Sequence, residues 1–326
     1  MTTKDAVLAM LLREQGYVSG ERMSEAIGVS RMAVSGAAKA LRGEGYEIES
    51  VTNRGYIIKN APERLSAGEL AARLGDERAE SIICLDEADS TNRALREAAE
   101  NGAGQGSVVI ACGQRTGRGR QGRSFFSPKG KGVYLSYLMR PECSAAASAE
   151  LTAWAAVAAR RAVARVCGAR VGIKWVNDLM LGGKKLGGIL TEMSIEAESG
   201  AVAYAVVGVG ININTAPDDF GAELCGIATS LAAETGKPQS RADIAAALIT
   251  ELDAVCKGMP HERAGYLAEY RATDTVCGHE VVLVQSGGES CAEALAINDD
   301  FSLLVRDENG NERSVRSGEV RVRPRG

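Results

Sequence analysis

At 326 residues, with 45% hydrophobic content and a net charge of −4, the chain is long enough for about two domains with real cores and too acidic overall to coat nucleic acid along its whole length. No apolar signal follows Met1, no apolar run nears the roughly 20 residues of a membrane span, and eight cysteines stand without a C-x-x-C spacing beside only two histidines, His261 and His279. These features predict a cytoplasmic protein with reduced thiols, no membrane partner and no structural zinc.

The first 60 residues predict a small helical unit followed by a hairpin. Val7, Leu8, Leu11 and Leu12 share one face of a first helix, and Met23, Ala26 and Ile27 share one face of a second that begins after Ser19-Gly20. Gly28-Val29 turns into Ser30, a good N-cap, and a third helix runs through Val34, Ala37, Ala38 and Leu41 to Gly43. A helix, a glycine turn and a capped helix carrying Arg31, Lys39 and Arg42 fit a helix-turn-helix. The stretches Tyr46 to Val51 and Tyr56 to Ile58, joined by Asn53-Arg54-Gly55, predict its wing. Candidate DNA-contact residues are Ser30, Arg31, Lys39 and Arg54. Eight bases against seven acids, and Gly36 inside the third helix, keep an ordinary three-helix interaction module open. Pro62 and Ser66-Ala67-Gly68 predict a linker to the next domain.

From about residue 80 strands and helices alternate. Ile82 to Leu85 is a strand, and Ala88 to Asn92 leads into a helix through Ala94, Leu95, Ala98 and Ala99. Val108 to Cys112 is the next strand. It feeds directly into Gly113-Gln114-Arg115-Thr116-Gly117-Arg118-Gly119-Arg120-Gln121-Gly122-Arg123, which holds four arginines and four glycines and sits in a window without any acid between Glu100 and Glu142. Such a loop suits phosphates and carboxylates, which backbone N–H groups and guanidinium forks recognise together. Its Gly117, Gly119 and Gly122 match G-x-G-x-x-G, but Ser124 to Gly130 is poor helix material, so a dinucleotide fold is not predicted. A solvated loop that adheres to nucleic acid is the plainer alternative.

Val133 to Leu138 is a further strand, and Leu151 to Val166 an alanine-rich helix with Arg160 and Arg161 on its exposed side. Gly172 to Val176 is a strand ending in Asn177-Asp178. Leu179 to Leu181 and Ile189 to Met193 flank a hairpin from Gly182 to Gly188 that carries Lys184 and Lys185. Tyr204 to Asn214 closes the series, and a helix-rich segment reaches about Thr273. Three polar clusters thus fall at strand ends or turns, where function concentrates. Alone, Ser90-Thr91-Asn92 reads equally as a helix cap, Asn177-Asp178 as turn chemistry and Lys184-Lys185 as two solvated lysines. Beyond residue 274 come four short strands, Val281 to Gln285, Cys291 to Ile297, Phe301 to Arg306 and Val320 to Arg323. They predict a small SH3-like barrel whose ten acids against six bases exclude a DNA clamp.

Taken together, Gly117-Arg118-Gly119-Arg120-Gln121-Gly122, Lys174-Trp175-Val176-Asn177-Asp178 and Lys185-Leu186-Gly187-Gly188-Ile189-Leu190 resemble the hallmarks of biotin protein ligases. Ser90-Thr91-Asn92, Gln114 and Gly208-Val209-Gly210-Ile211-Asn212 match as well, and the first 60 residues resemble the bifunctional biotin operon repressor type. The resemblance covers nearly the whole chain. It implies an α+β protein: a winged helix-turn-helix over residues 1–62, a central mixed-sheet ligase domain over 63–273 and an SH3-like β-barrel over 274–326.

By the same resemblance, biotin and ATP with Mg²⁺ would form biotinyl-5′-adenylate, and the biotinyl group would pass to a lysine of a biotin carboxyl carrier protein. A homodimer loaded with adenylate would bind operator DNA. Arg118, Lys185 and Asp178 would be catalytic. Ser90, Thr91, Asn92, Gln114, Gly119 and Gly188 would bind biotin with Arg118, Arg120 and Lys185, while Arg120, Phe125, Asn177 and Asn212 would bind the nucleotide. Val176 departs from the family, which has proline there. Two other functions remain open: a ligand-sensing repressor without catalysis, and a lipoate or octanoate acyltransferase; those that work through a thioester need a reactive cysteine, whereas Cys112, close to the loop, ends an apolar strand where a buried thiol is expected.

Overall fold

The computed structural model describes all residues except 142–147, 197, 199, 260, 286–287, 317 and 323–326. Helices α1 (Thr3–Arg13), α2 (Gly20–Ile27) and α3 (Arg31–Gly43) precede an antiparallel hairpin, β1 (Glu47–Val51) and β2 (Gly55–Asn60). Thr2, Ser19 and Ser30 each cap the helix that follows, the side-chain oxygen accepting from a first-turn backbone N–H that has no partner within the helix. Gly28 turns the chain between α2 and α3 at φ +73°, a left-handed conformation that suits glycine. Val7, Leu8, Leu11, Met23, Val34 and Leu41 close a core of their own with Tyr46 and Ile48. The winged helix-turn-helix expected of this segment is therefore present.

Ser66-Ala67-Gly68 is not a linker. Ser66 caps α4 (Ala67–Leu74), and a Cβ on Gly68 would stand 2.8 Å from Asp5 O, so α4 lies directly against α1. The buried Glu69 of α4 accepts from the Tyr46 hydroxyl at 2.9 Å, which ties the wing side of the first unit to the second. A serine ahead of small residues signals a helix start as readily as a loop, and here the helix wins by burying its face.

After the short α5 (Asp76–Ala79) come β3 (Ile82–Leu85), α6 (Thr91–Glu100), β4 (Val108–Ala111), β5 (Gly132–Met139), α7 (Ser148–Cys167), β6 (Gly172–Lys174), β7 (Asp178–Leu181), β8 (Lys184–Ile195) and β9 (Val202–Asn212). Their sheet has the order β3-β4-β5-β9-β8-β7-β6. Only β3 and β4 run parallel, so it is mixed, as expected. Short helices α8 (Gly221–Leu224) and α9 (Leu231–Thr235) lead to α10 (Arg241–Gly258) and α11 (Arg263–Thr273).

Strand alternation assigns the two faces. Val133, Leu135, Tyr137 and Met139 of β5, with Val207, Val209 and Ile211 of β9, join the large core beneath α7 and α10. The even-numbered positions of β5 and β9 face the other way, where Leu138, Tyr204 and Val206 pack against Leu95 and Ala99 of α6. That second face carries the site.

Two local expectations change. The turn after β7 is only Gly182-Gly183, both at positive φ, and Lys184 to Gly188 already belong to β8. Arg160 and Arg161 are only partly exposed, because both pair with Glu269 of α11 and hold that helix to α7.

The last segment is a five-stranded antiparallel sheet, β10 (Glu280–Gln285), β11 (Gly288–Ile297), β12 (Leu303–Asp307), β13 (Glu312–Val315) and β14 (Glu319–Val322), in the order β13-β12-β11-β10-β14. It is consistent with the SH3-like expectation. Glu312-Arg313-Ser314-Val315 has a single apolar residue, which is why β13 escapes a hydrophobic pattern. Phe301 lies outside β12, and Arg323, expected in the last strand, lies outside the described residues. The sheet shares its core with the central domain: Trp175 Nε1 donates to Phe301 O at 2.9 Å, and the Phe301 ring meets Tyr270 edge-on at 5.7 Å.

Candidate functional site

A cavity of ≈ 990 Å³, counted to its open mouth, lies on the α6 side of the sheet. Its floor is made by glycines. Ser136, Gly208 and Leu190 stand side by side across β5, β9 and β8, and one step further along β9 Tyr134, Gly210 and Gly188 do the same. A Cβ on Gly208 would come within 2.2 Å of Asn92 Oδ1, and one on Gly210 within 2.5 Å of the Phe125 ring. Both glycines sit in ordinary strand conformation, so the missing side chain provides space and no unusual turn. Asn92 fills the first slot. Phe125 fills the second, edge-on to Tyr134 at 6.5 Å.

The polar wall comes from the start of α6. Ser90 occupies the N-cap position but makes no capping bond. Gln114 does that work from the loop: its Oε1 accepts from Thr91 N at 2.9 Å, and its Nε2 donates to Ser127 Oγ at 3.0 Å. Reading Ser90-Thr91-Asn92 as a simple cap is therefore wrong for Ser90, whose side chain stays available to the cavity it lines.

The arginine loop folds back on itself. Phe125 N bonds Gly117 O at 2.8 Å and Gly119 N bonds Arg123 O at 2.7 Å, with a single turn at Arg120–Gly122 between them. Arg118, Gly119, Arg120 and Arg123 line the cavity, whereas Arg115 turns away to Asp89 and Glu87. Arg120 donates to Asn177 Oδ1 at 3.3 Å, and burial pushes its guanidinium below the usual range. The acid-free window is neutralised in part from elsewhere in the chain, Asp86 meeting Lys129 and Asp219 meeting Lys131. Arg123 pairs with Glu319 at the start of β14, which brings the last sheet to the mouth of the cavity.

Opposite the loop, Lys185 Nζ and Asp178 Oδ1 are 2.6 Å apart where β7 and β8 begin, and Gly188 lines the floor beside them. Asn177 is held by two bonds to the Ile189 backbone, at 2.9 and 3.0 Å. Lys174 also lines the cavity, and burial lowers its pKa against the opposing pull of Asp178 and Glu319. The Trp175–Val176 peptide before this turn is cis.

Twelve of the thirteen residues expected at the ligand site therefore face one cavity. Asn212 is the exception. It is buried, its Nδ2 donates to Thr229 O at 3.0 Å, and it does not reach the lining. Lys174 was readable from its motif but had no assigned task, whereas nothing local marks Glu319, which lies 196 residues from Arg123.

In the N-terminal unit, Ser30 Oγ accepts from Ala33 N at 3.1 Å as a cap. Arg31, Met32, Ser35, Gly36 and Lys39 are exposed on α3, and Arg54 in the wing turn lies over the Tyr17 ring at 4.2 Å.

Residues 85–212 match the biotin/lipoate A/B protein ligase family, and residues 3–57 match a helix-turn-helix domain. The bifunctional ligase/repressor BirA of Bacillus subtilis is 40% identical over 229 residues, 70% of each chain. The chain belongs to this family. The bifunctional ligase/repressor BirA of Escherichia coli is 31% identical over 96% of this chain and 97% of its own length. Among solved structures, biotin protein ligase from Aquifex aeolicus in complex with biotin and ATP is similar at a TM-score of 0.64 and 26% identity, covering 74% of this chain and 98% of that one.

Proposed function

We propose that the chain is an ATP-dependent biotin protein ligase that also represses genes through its N-terminal winged helix. The observation that carries this reading is the convergence of Arg118, Arg120 and Lys185 on the cavity that holds Ser90, Thr91, Asn92 and Gln114.

Joining a carboxylate to the α-phosphate of ATP brings two anions together, so the barrier is largely electrostatic. Arg118 and Lys185 are suited to hold the biotin carboxylate against the α-phosphorus while pyrophosphate departs. Arg120, half-buried and fixed to Asn177, would retain the adenylate, and Phe125 would cover the adenine or the biotin ring. Asn212 supports the nucleotide side indirectly in this scheme, by anchoring Thr229. Mg²⁺ would arrive with ATP: among the described residues no three potential ligands gather, so Asp178 would supply at most one carboxylate and the phosphates the rest.

The second step requires a neutral lysine amine on a carrier domain, and at pH 7 only about one in 2,500 is neutral at a pKa near 10.4. In the Lys185–Asp178 pair each charge satisfies the other until an anion draws Lys185 away, which frees Asp178 to accept or orient that proton. The thioester route of an acyltransferase gains nothing here, since among the described residues no cysteine lines the cavity and Cys112 Sγ is directed at Leu65 O. The carrier protein, a homodimer on DNA and a cytoplasmic location complete the proposal; no helix among the described residues is long and apolar enough to cross a membrane.

Incubation with biotin, ATP and a carrier domain is expected to add one biotinyl group to the carrier, read by mass. From preformed adenylate, Asp178→Asn should transfer about a hundredfold more slowly than the native enzyme. An unmodified carrier contradicts the ligase, and an unchanged transfer rate contradicts the role of Asp178.

A further inference from the structure

Asn92 Nδ2 donates to the Glu192 carboxylate at 2.7 Å and to Leu190 O at 3.2 Å, which forces its Oδ1 to the opposite side. Ser136, fully buried on β5, waits there with Oγ 2.6 Å from Asn92 Oδ1 and 2.8 Å from Thr91 Oγ1. An amide oxygen has no hydrogen to give, so Ser136 commits its single proton to Asn92. The hydrogen in the Thr91–Ser136 contact must then belong to Thr91. Gln114 Oε1, 3.2 Å from Thr91 Oγ1, is the longer alternative and is already served by Thr91 N. With its proton directed inward, the Thr91 hydroxyl offers lone pairs to the cavity.

We infer that Glu192, which does not line the cavity, acts through Asn92 and Ser136 to set Thr91 as a hydrogen-bond acceptor, and so selects a ligand head that presents N–H groups, as a cyclic urea does. This inference rests on the ligase reading of the cavity. Glu192 is a positioning residue: a carboxylate can only accept, so the Asn92 amide has one orientation, and Gly208 leaves that amide the room to lie flat on the sheet. A glutamine at 192 can present its nitrogen in place of an oxygen, which leaves Leu190 O at 3.2 Å as the one fixed acceptor and weakens the direction of the whole chain of bonds. A site whose buried polar groups mismatch the ligand rejects it far more strongly than a site that merely lacks a methylene.

The test compares the full-length enzyme with Glu192→Gln, Ser136→Ala and the double variant in biotin-dependent ATP–pyrophosphate exchange. KM for biotin is expected to rise roughly tenfold in each single variant, with KM for ATP and kcat within about twofold of native. Because both substitutions cut the same relay, the double variant should stay near tenfold and not reach roughly a hundredfold. An unchanged biotin KM, a multiplicative double variant, or parallel rises in both KM values overturns the inference, the last because it marks general damage to the sheet. Should Glu192→Gln fail to fold, Ser136→Ala decides by the same split between biotin and ATP. A native enzyme without any exchange would instead strike down the ligase reading itself.

Discussion

Gly208 and Gly210 show why single residues decide this site. Neither carries a side chain, yet each leaves a slot that a neighbouring side chain fills, Asn92 in one and Phe125 in the other. Gly210→Ala would drive a methyl into the Phe125 ring, a strain of about 1–3 kcal/mol that the ring relieves by leaving its seat. The variant is expected to stay folded by circular dichroism and to lose about tenfold in pyrophosphate exchange; native exchange would mean the slot is idle. The polar first layer was legible in the sequence because its residues are clustered: Ser90-Thr91-Asn92, Arg118 to Arg120 and Asn177-Asp178 each stand next to one another. Ser136 and Glu192 were not legible, since only the register of β5, β8 and β9 brings them to Asn92. Asn212, at a strand end, is turned so that its Nδ2 meets Thr229 O, while its buried Oδ1 has no partner among the described residues.

At the level of elements, the arginine loop is braced by partners from three directions: Gln114 and Ser127 behind it, Asn177 across the cavity and Glu319 of β14 above. Arg123 is over half exposed, so its ion pair with Glu319 contributes only modestly, on the order of 1 kcal/mol or less. It still connects the terminal sheet to the site. Glu319→Ala is expected to speed loss of a preformed adenylate by about two- to fivefold on rapid dilution, with exchange chemistry little changed. Equal retention would reduce β14 to a packing element. The strands themselves were legible from their apolar runs, apart from β13, whose outward side chains are all polar or charged. The supposed linker failed as a reading because serine and glycine signal caps and close approach as well as loops, and only the packing of α4 on α1 tells them apart.

For the whole molecule, that packing means the DNA-binding unit is joined to the ligase by more than a tether. Tyr46 bonds Glu69, Arg73 spans Glu69 and Asp243 of α10, and Arg241 at the start of α10 bonds Glu63. Helix α10 packs on α4, α4 on α1 and α1 on α3, so the central domain and α3 share a continuous line of contacts, although α3 itself offers little charge: Arg31, Lys39 and Arg42, with Arg42 Nε donating to Ile48 O. A gel shift on the organism's own biotin-gene promoters at low salt should therefore appear only when biotin and ATP are both present. A shift that ignores them would separate DNA binding from the ligase. The most direct measurement of the central claim is biotin-dependent ATP–pyrophosphate exchange by the native chain and by Lys185→Ala. If one cavity grips carboxylate and phosphate between the arginine loop and β8, the native chain exchanges and the variant falls by about a hundredfold or more; exchange absent from the native chain, or undiminished in the variant, contradicts it.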